Sequence, residues 1–141
     1  VYGPGQIGGG AIRAFIEAAL AGGPLTIHGD GSQIRAWTFV DDMVRGVLCS
    51  LEHPSAVGES FNIGNPRSAV TIFDLAQRIK RLSDCPGEIT FQPLHYVDVE
   101  LRIPNADKAR EVLGFDAEVQ LDDGLARTIA WYRERLATPT A

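Results

Sequence analysis

The sequence predicts an α/β fold of mixed, α+β character, with short strands and four or five helices around one core. Short β-branched or aromatic runs alternate with amphipathic helical stretches along the chain. Its 141 residues, 45% hydrophobic and 22% charged, have the length and composition of one globular domain. No internal repeat or low-complexity tract argues for a solenoid, a fibre or a disordered chain.

Residues 11–21 read as a helix, because Ile12, Phe15, Ile16 and Ala19 or Leu20 share one face and Gly22-Gly23-Pro24 stops it. Residues 25–28 form a β-favouring run closed by the turn Gly29-Asp30-Gly31-Ser32. Residues 36–40 read as a second strand. Asp41 or Asp42 then caps a helix to about Leu51, with Met43, Val44, Val47, Leu48 and Leu51 turned inward. Residues 60–63 predict a further strand before Gly64-Asn65-Pro66. Thr71-Ile72-Phe73-Asp74 matches a capping box and opens a helix to about Leu82. Residues 89–92 predict a strand, and residues 93–104 an irregular stretch. Asn105 or Asp107 caps a short helix ending near Leu113-Gly114. A last helix runs from Asp122 through Arg135 with Trp131 and Tyr132 on its apolar face. One domain is expected over residues 1–136, with residues 137–141 as a disordered tail.

Composition excludes several functions. Thirteen Lys+Arg against 18 Asp+Glu give a net charge of −5, so no basic footprint for nucleic acid exists. No apolar run reaches ~18 residues and no charged-then-apolar leader precedes the domain, so no membrane partner is expected and a cytoplasmic setting is. The chain opens at Val1 on a strand end running into a turn, without an initiator methionine, and is expected to be cut from something longer. Cys49 and Cys85 are too far apart for a zinc pattern, and His28, His53 and His95 have no ligand spacing, so no metal is expected. No G-x-S-x-G element offers a serine nucleophile, and no catalytic residue is assigned.

Gly3, Gly5 and Gly8 spell G-x-G-x-x-G, with Asp30 about twenty residues on, as in a dinucleotide-binding turn. Only Val1 and Tyr2 precede the first glycine, and Pro4 removes an amide that a pyrophosphate would need. Asp30 sits inside a turn rather than at a strand end. The stretch therefore reads as a loop before a helix. A minimal dinucleotide domain stands as a third-ranked reading that would require NAD affinity in the isolated chain.

Arginine makes up eleven of the 13 cations, and its planar fork suits phosphate and carboxylate. Arg35 follows a Gly-rich turn beside Trp37, and Arg102 lies just before a predicted helix N-terminus. Both also fit ion pairs; for Arg102, Asp98 and Glu100 are at hand. On the residues alone the two readings stay open.

Taken together, the segments resemble the C-terminal part of the extended short-chain dehydrogenase/reductase family, which acts on nucleotide sugars. The matching stretches include Val1-Tyr2-Gly3-Pro4-Gly5-Gln6, Gly23-Pro24-Leu25-Thr26-Ile27-His28-Gly29-Asp30-Gly31 and Gln33-Ile34-Arg35-Ala36-Trp37-Thr38-Phe39-Val40-Asp41-Asp42. Phe61-Asn62-Ile63-Gly64-Asn65, then Asp98 through Ala109, Leu113-Gly114-Phe115 and Gly124 through Trp131 follow in family order. Within the family the likeness is to UDP-glucuronate decarboxylases and related 4-epimerases and 4,6-dehydratases.

The resemblance implies a small C-terminal substrate lobe whose Rossmann lobe is missing. The Rossmann fingerprint and the Tyr-x-x-x-Lys pair belong upstream; Tyr2 is followed at the fourth position by Gln6 and cannot replace that tyrosine. NAD is expected in the intact parent and not on this chain alone. By the same resemblance, Arg35 and Arg102 grip the nucleotide diphosphate, and Leu25, Ile27 and His28 line the nucleobase site. Gln33 is a polar neighbour of the ligand, and Tyr2 lies at the junction of the lobes. His28 stands where relatives usually carry tyrosine. The implied function is a UDP- or dTDP-sugar-binding lobe of an NAD-dependent epimerase, dehydratase or decarboxylase. The rival is a free-standing binding or assembly module without chemistry. Apolar faces that the other lobe would cover, near Val1-Tyr2 and the first helix, are expected to favour homo-oligomers.

Overall fold

The fold begins at Tyr2, whose N–H donates to the Thr38 carbonyl (3.0 Å) and whose carbonyl accepts from the Val40 N–H (2.9 Å). This makes a parallel bridge between Tyr2 and Phe39. A computed structural model describes residues 1–137; residues 138–141, most of the expected tail, lie outside the described residues. The elements run α1 (Ala11–Leu20), β1 (Leu25–His28), β2 (Ile34–Ala36), α2 (Val40–Glu52), β3 (Ala69–Thr71), α3 (Ile72–Ser83), β4 (Ile89–Gln92), β5 (Leu101–Arg102), α4 (Asp107–Leu113) and α5 (Leu121–Ala137). Five helices with short parallel and antiparallel strands make the fold mixed α/β, as the alternation predicts.

Two small sheets organise the strands. β1 pairs with β4 in parallel, Leu25 opposite Ile89 through His28 opposite Gln92. β2 is the central strand of the second sheet, antiparallel to β3 and parallel to β5. The main core gathers Ile12, Phe15 and Ile16 of α1, Leu25 and Ile27 of β1, Leu75 and Ile79 of α3, and Leu125 and Ile129 of α5. Each set repeats at helical or strand spacing, so burying one face of each element holds the layers together. A smaller cluster forms around Ala109, Leu113, Phe115 and Ala117. The Thr71 half of the capping box at α3 is present, with Thr71 Oγ1 accepting from the Asp74 N–H at 3.0 Å, while Asp74 Oδ2 accepts from Arg78 Nε at 2.9 Å.

Four expectations are corrected. The second strand lies two residues earlier, over Ile34–Ala36, because its ladder to β3 stops at Trp37. The Trp37 N–H still donates to the Ser68 carbonyl, but the Ser68 N–H turns back to the Asn65 carbonyl and Phe39 turns to pair with Tyr2. Residues 60–63 form no strand: Phe61 and Ile63 pack on the α4 cluster, and Asn62 Nδ2 donates to the Asn105 carbonyl at 3.1 Å. The strands missed are β3 and β5, which flank β2 on either side.

The third correction concerns Asp41 and Asp42, which do not cap α2; Phe39 holds that position without a side-chain bond. Asp41 pairs with Arg127 at 2.6 Å. Asp42 is fully buried, accepts from the Glu118 and Val119 N–H groups (both 3.0 Å) and pairs with Arg45 at 2.7 Å. A buried carboxylate with three donors is compensated, and it fixes the approach to α5 against α2.

The fourth correction is the direction of α2. Val44, Val47, Leu48 and Leu51 are exposed, Leu51 at 77%, while Asp42 and Gly46 face inward. Gly46 is required there, since a Cβ would come 2.3 Å from Ile63. The apolar face of α1 and the side chain of Tyr2, by contrast, are buried. The uncovered apolar stripe is therefore on α2, not on the first helix.

Candidate functional site

Arg35 is the middle residue of β2 and stands in register with Arg102 on the parallel strand β5. Registered residues of neighbouring strands project to the same sheet face. Both arginines line one cavity of about 390 Å³, together with Val1, Trp37 and Asp98. The Arg35 side chain is 14% exposed; its Nη1 donates to the Ile34 carbonyl and its Nη2 to Asp98 Oδ2, each at 2.9 Å. Arg102 is exposed and has no ion-pair partner among the described residues. Asp98, offered by sequence as a partner for Arg102, is instead bound to Arg35.

A second cavity of about 320 Å³ adjoins the first, with Ala11, Ile72 and Asp98 lining both. Its other walls come from Phe15 of α1, Thr26 and His28 of β1, Gln33, and Leu94 and Tyr96 of the loop before β5. Strand alternation explains the β1 contribution: Leu25 and Ile27 point into the core, so Thr26 and His28 face the cavity. Leu25 and Ile27, expected to wall the site, therefore support it from behind and are absent from its lining. Thr26 was missed, although its place between two apolar strand residues is the signal that finds it. Its hydroxyl is 3.2 Å from that of Thr90 on β4.

Gln33 reaches the same cavity. Its Nε2 donates to the His28 carbonyl at 3.4 Å, while Oε1 is buried with no hydrogen-bond partner. A buried acceptor without a donor is costly and marks a place where a ligand N–H or O–H fits. Trp37 Nε1, beside the arginine cavity, is likewise buried and unpaired.

Tyr2 does not join either cavity. It is 2% exposed, packs edge-on against Phe39 with ring centroids 5.4 Å apart, and donates from its hydroxyl to the Leu121 carbonyl at 3.2 Å. Burial, followed by the nearby carboxylates of Asp42, Asp122 and Asp123, pushes its phenol well above the ordinary range. The structure thus places Tyr2, expected at the junction of the lobes, in the core of this chain. The sequence reading also missed Tyr96, Leu94 and Asp98 as lining residues, since they lie on an irregular loop with no periodicity to interpret.

In the Gly3, Gly5 and Gly8 stretch, Gly3 packs against Val40, whose Cγ1 lies 2.6 Å from the place of a Cβ, and a single bridge at Tyr2 stands where a dinucleotide turn needs a strand. Asp30 is spoken for locally: the Ser32 hydroxyl (2.7 Å) and N–H (2.9 Å) bind its carboxylate and hold it below the usual range. Among the described residues no group of three or more metal-ligating side chains assembles, and no helix is long and apolar enough to cross a membrane.

Residues 1–64 match the family model described as NAD dependent epimerase/dehydratase family. The chain is 37% identical to UDP-glucuronic acid decarboxylase 1 of Xenopus tropicalis over 91% of its own length, which is 30% of that protein. Among solved structures it is similar to an epimerase of Methanothermobacter thermautotrophicus (TM-score 0.91, 31% identity, 96% of this chain and 41% of that one). It is also similar to UDP-glucuronic acid 4-epimerase of Bacillus cereus, solved with UDP-glucuronic acid and NAD (TM-score 0.88, 30% identity, 95% of this chain and 43% of that one). The chain thus spans less than half the length of each protein it matches here.

Proposed function

Since the chain belongs to the NAD-dependent epimerase/dehydratase family, in the place of the C-terminal part of an extended short-chain dehydrogenase/reductase, we propose that it is the lobe that holds a UDP- or dTDP-sugar. The whole protein, on this reading, is a cytoplasmic NAD-dependent nucleotide-sugar epimerase, dehydratase or decarboxylase. NAD and the Tyr-x-x-x-Lys pair belong to the remainder of the polypeptide, and residues 1–141 bind no NAD unaided.

The observation that carries the proposal is the registered pair Arg35 and Arg102 on one face of β2 and β5. Two planar cations side by side match the two adjacent phosphates of a nucleoside diphosphate, each able to give charge-assisted, forked bonds. The adjoining cavity is suited to the base. The orphaned Gln33 Oε1 complements the imide N–H of a pyrimidine, and Phe15 and Leu94 supply an apolar wall. His28 and Thr26 add donors and acceptors at its rim. In a chain of net charge −5, two local cations also offset a field that would otherwise repel an anion.

UDP is expected to bind the isolated chain at about millimolar affinity, because the rest of the protein does not close the site and association must offset lost freedom of motion. Binding weakens as salt rises. Arg35→Lys or Arg102→Lys keeps the charge and loses the fork, and weakens UDP binding in the intact protein by ~1–3 kcal/mol. Equal affinity in calorimetric titrations of wild type and both variants refutes the diphosphate assignment.

A further inference from the structure

The Arg35 guanidinium is not free to meet a ligand as it stands. Its outward nitrogen Nη2 is already bonded at 2.9 Å to Asp98 Oδ2, a contact whose carboxylate side is 34% exposed. The other oxygen of Asp98 accepts the N–H of its neighbour Val99 at 2.8 Å, so the carboxylate is aimed by its own loop. Asp98 also lines both cavities, and so stands at their common boundary. The loop that carries it is lightly anchored: Tyr96 is 69% exposed and Val97 fully so. A carboxylate on an arginine has the charge and geometry of one phosphate edge.

We infer that Asp98 is a displaceable latch, an internal carboxylate that holds Arg35 until a diphosphate takes its place. The inference rests on the nucleotide-diphosphate reading above and adds a competing group to it. With Asp98 seated, Arg35 is engaged and Arg102 alone of the two is open to an anion; with it displaced, both are available and the two cavities join into one cleft. Displacement turns the Asp98 side chain about its own bonds, away from Arg35, and the Val99 N–H loses its partner as the carboxylate turns. Affinity for the anion is therefore set by a competition within the chain, and removing the carboxylate strengthens binding rather than weakening it.

NMR titrations of the 141-residue chain and its Asp98→Asn variant with UDP and with uridine test this. The variant is expected to bind UDP about three- to tenfold more tightly, the scale of a partly exposed ion pair no longer competing. Uridine, which has no phosphate, is expected to bind both proteins alike. UDP binding that is unchanged or weaker in the variant overturns the latch, as does equal tightening for uridine, which would report a looser loop rather than a freed arginine. In the unmodified chain, the Val99 amide should exchange faster with solvent when UDP is bound; unchanged or slower exchange also overturns the proposal. If the chain binds UDP and the variant gains nothing, the latch alone fails. If neither protein takes up UDP, the diphosphate reading fails and the latch with it.

Discussion

Tyr2 illustrates how one side chain ties the start of the chain to its last helix. Its ring meets Phe39, its hydroxyl reaches the Leu121 carbonyl at the first residue of α5, and both lie in the core. Burial is the main reason its phenol resists ionisation. In the unfolded chain the group ionises near pH 10, while in the folded chain it stays protonated well beyond that. Above about pH 10 the unfolded state thus binds fewer protons than the folded one, and stability falls as pH rises. Tyr2→Phe should remove this alkaline slope and cost about 1 kcal/mol near neutrality through the lost hydrogen bond. Urea unfolding at several pH values between 7 and 11 measures both effects, and an equally steep alkaline decline in the variant refutes the assignment to Tyr2.

At the scale of elements, the contact between the start of the chain and α5 depends on Gly124. A Cβ there would lie 2.1 Å from the Tyr2 hydroxyl oxygen and 2.8 Å from Phe39 Cδ2. Helix propensity alone favours Gly→Ala by about 1 kcal/mol. Overpacking in a filled core costs typically 1–3 kcal/mol, and it wins here because α5 is wedged against buried rings. Gly124→Ala is therefore expected to destabilise by up to about 2 kcal/mol. The loss should be smaller in a Tyr2→Phe background, where the oxygen is gone, and a double-mutant cycle by thermal unfolding reads the coupling.

Legibility in the sequence followed the same logic. α1, β1, α3 and β4 were readable because each carries its own periodicity or cap, as Ile12, Phe15 and Ile16 or the Thr71–Asp74 pair do. β3 and β5 were not, being three and two residues long and defined by pairing with β2 rather than by pattern. Asp42 looks like a cap in sequence and acts instead on Glu118 and Val119, a separation that no local rule conveys. The candidate site was half visible: the resemblance picked out Arg35, Arg102 and His28, and strand alternation exchanges Leu25 and Ile27 for Thr26.

For the molecule as a whole, the most telling feature is the helix whose periodicity is right and whose direction is reversed. Val44, Val47, Leu48 and Leu51 recur at helical spacing and would bury well, yet all four face outward on α2. The inward positions are taken by Asp42 and Gly46, both fixed by contacts that a rotated helix would lose. Rotation to bury the stripe is thus blocked, and a contiguous apolar stripe on an isolated domain favours association. A second copy of the chain is the partner available in a purified sample. The isolated chain is expected to self-associate as concentration rises, seen as a growing weight-average mass in sedimentation or light scattering. Val47→Glu with Leu51→Glu should return it to a monomer with unchanged helical circular dichroism, since both positions are exposed and Glu has a higher helix propensity than Val. A wild-type chain that stays monomeric at millimolar concentration would show that the stripe does not pair with itself.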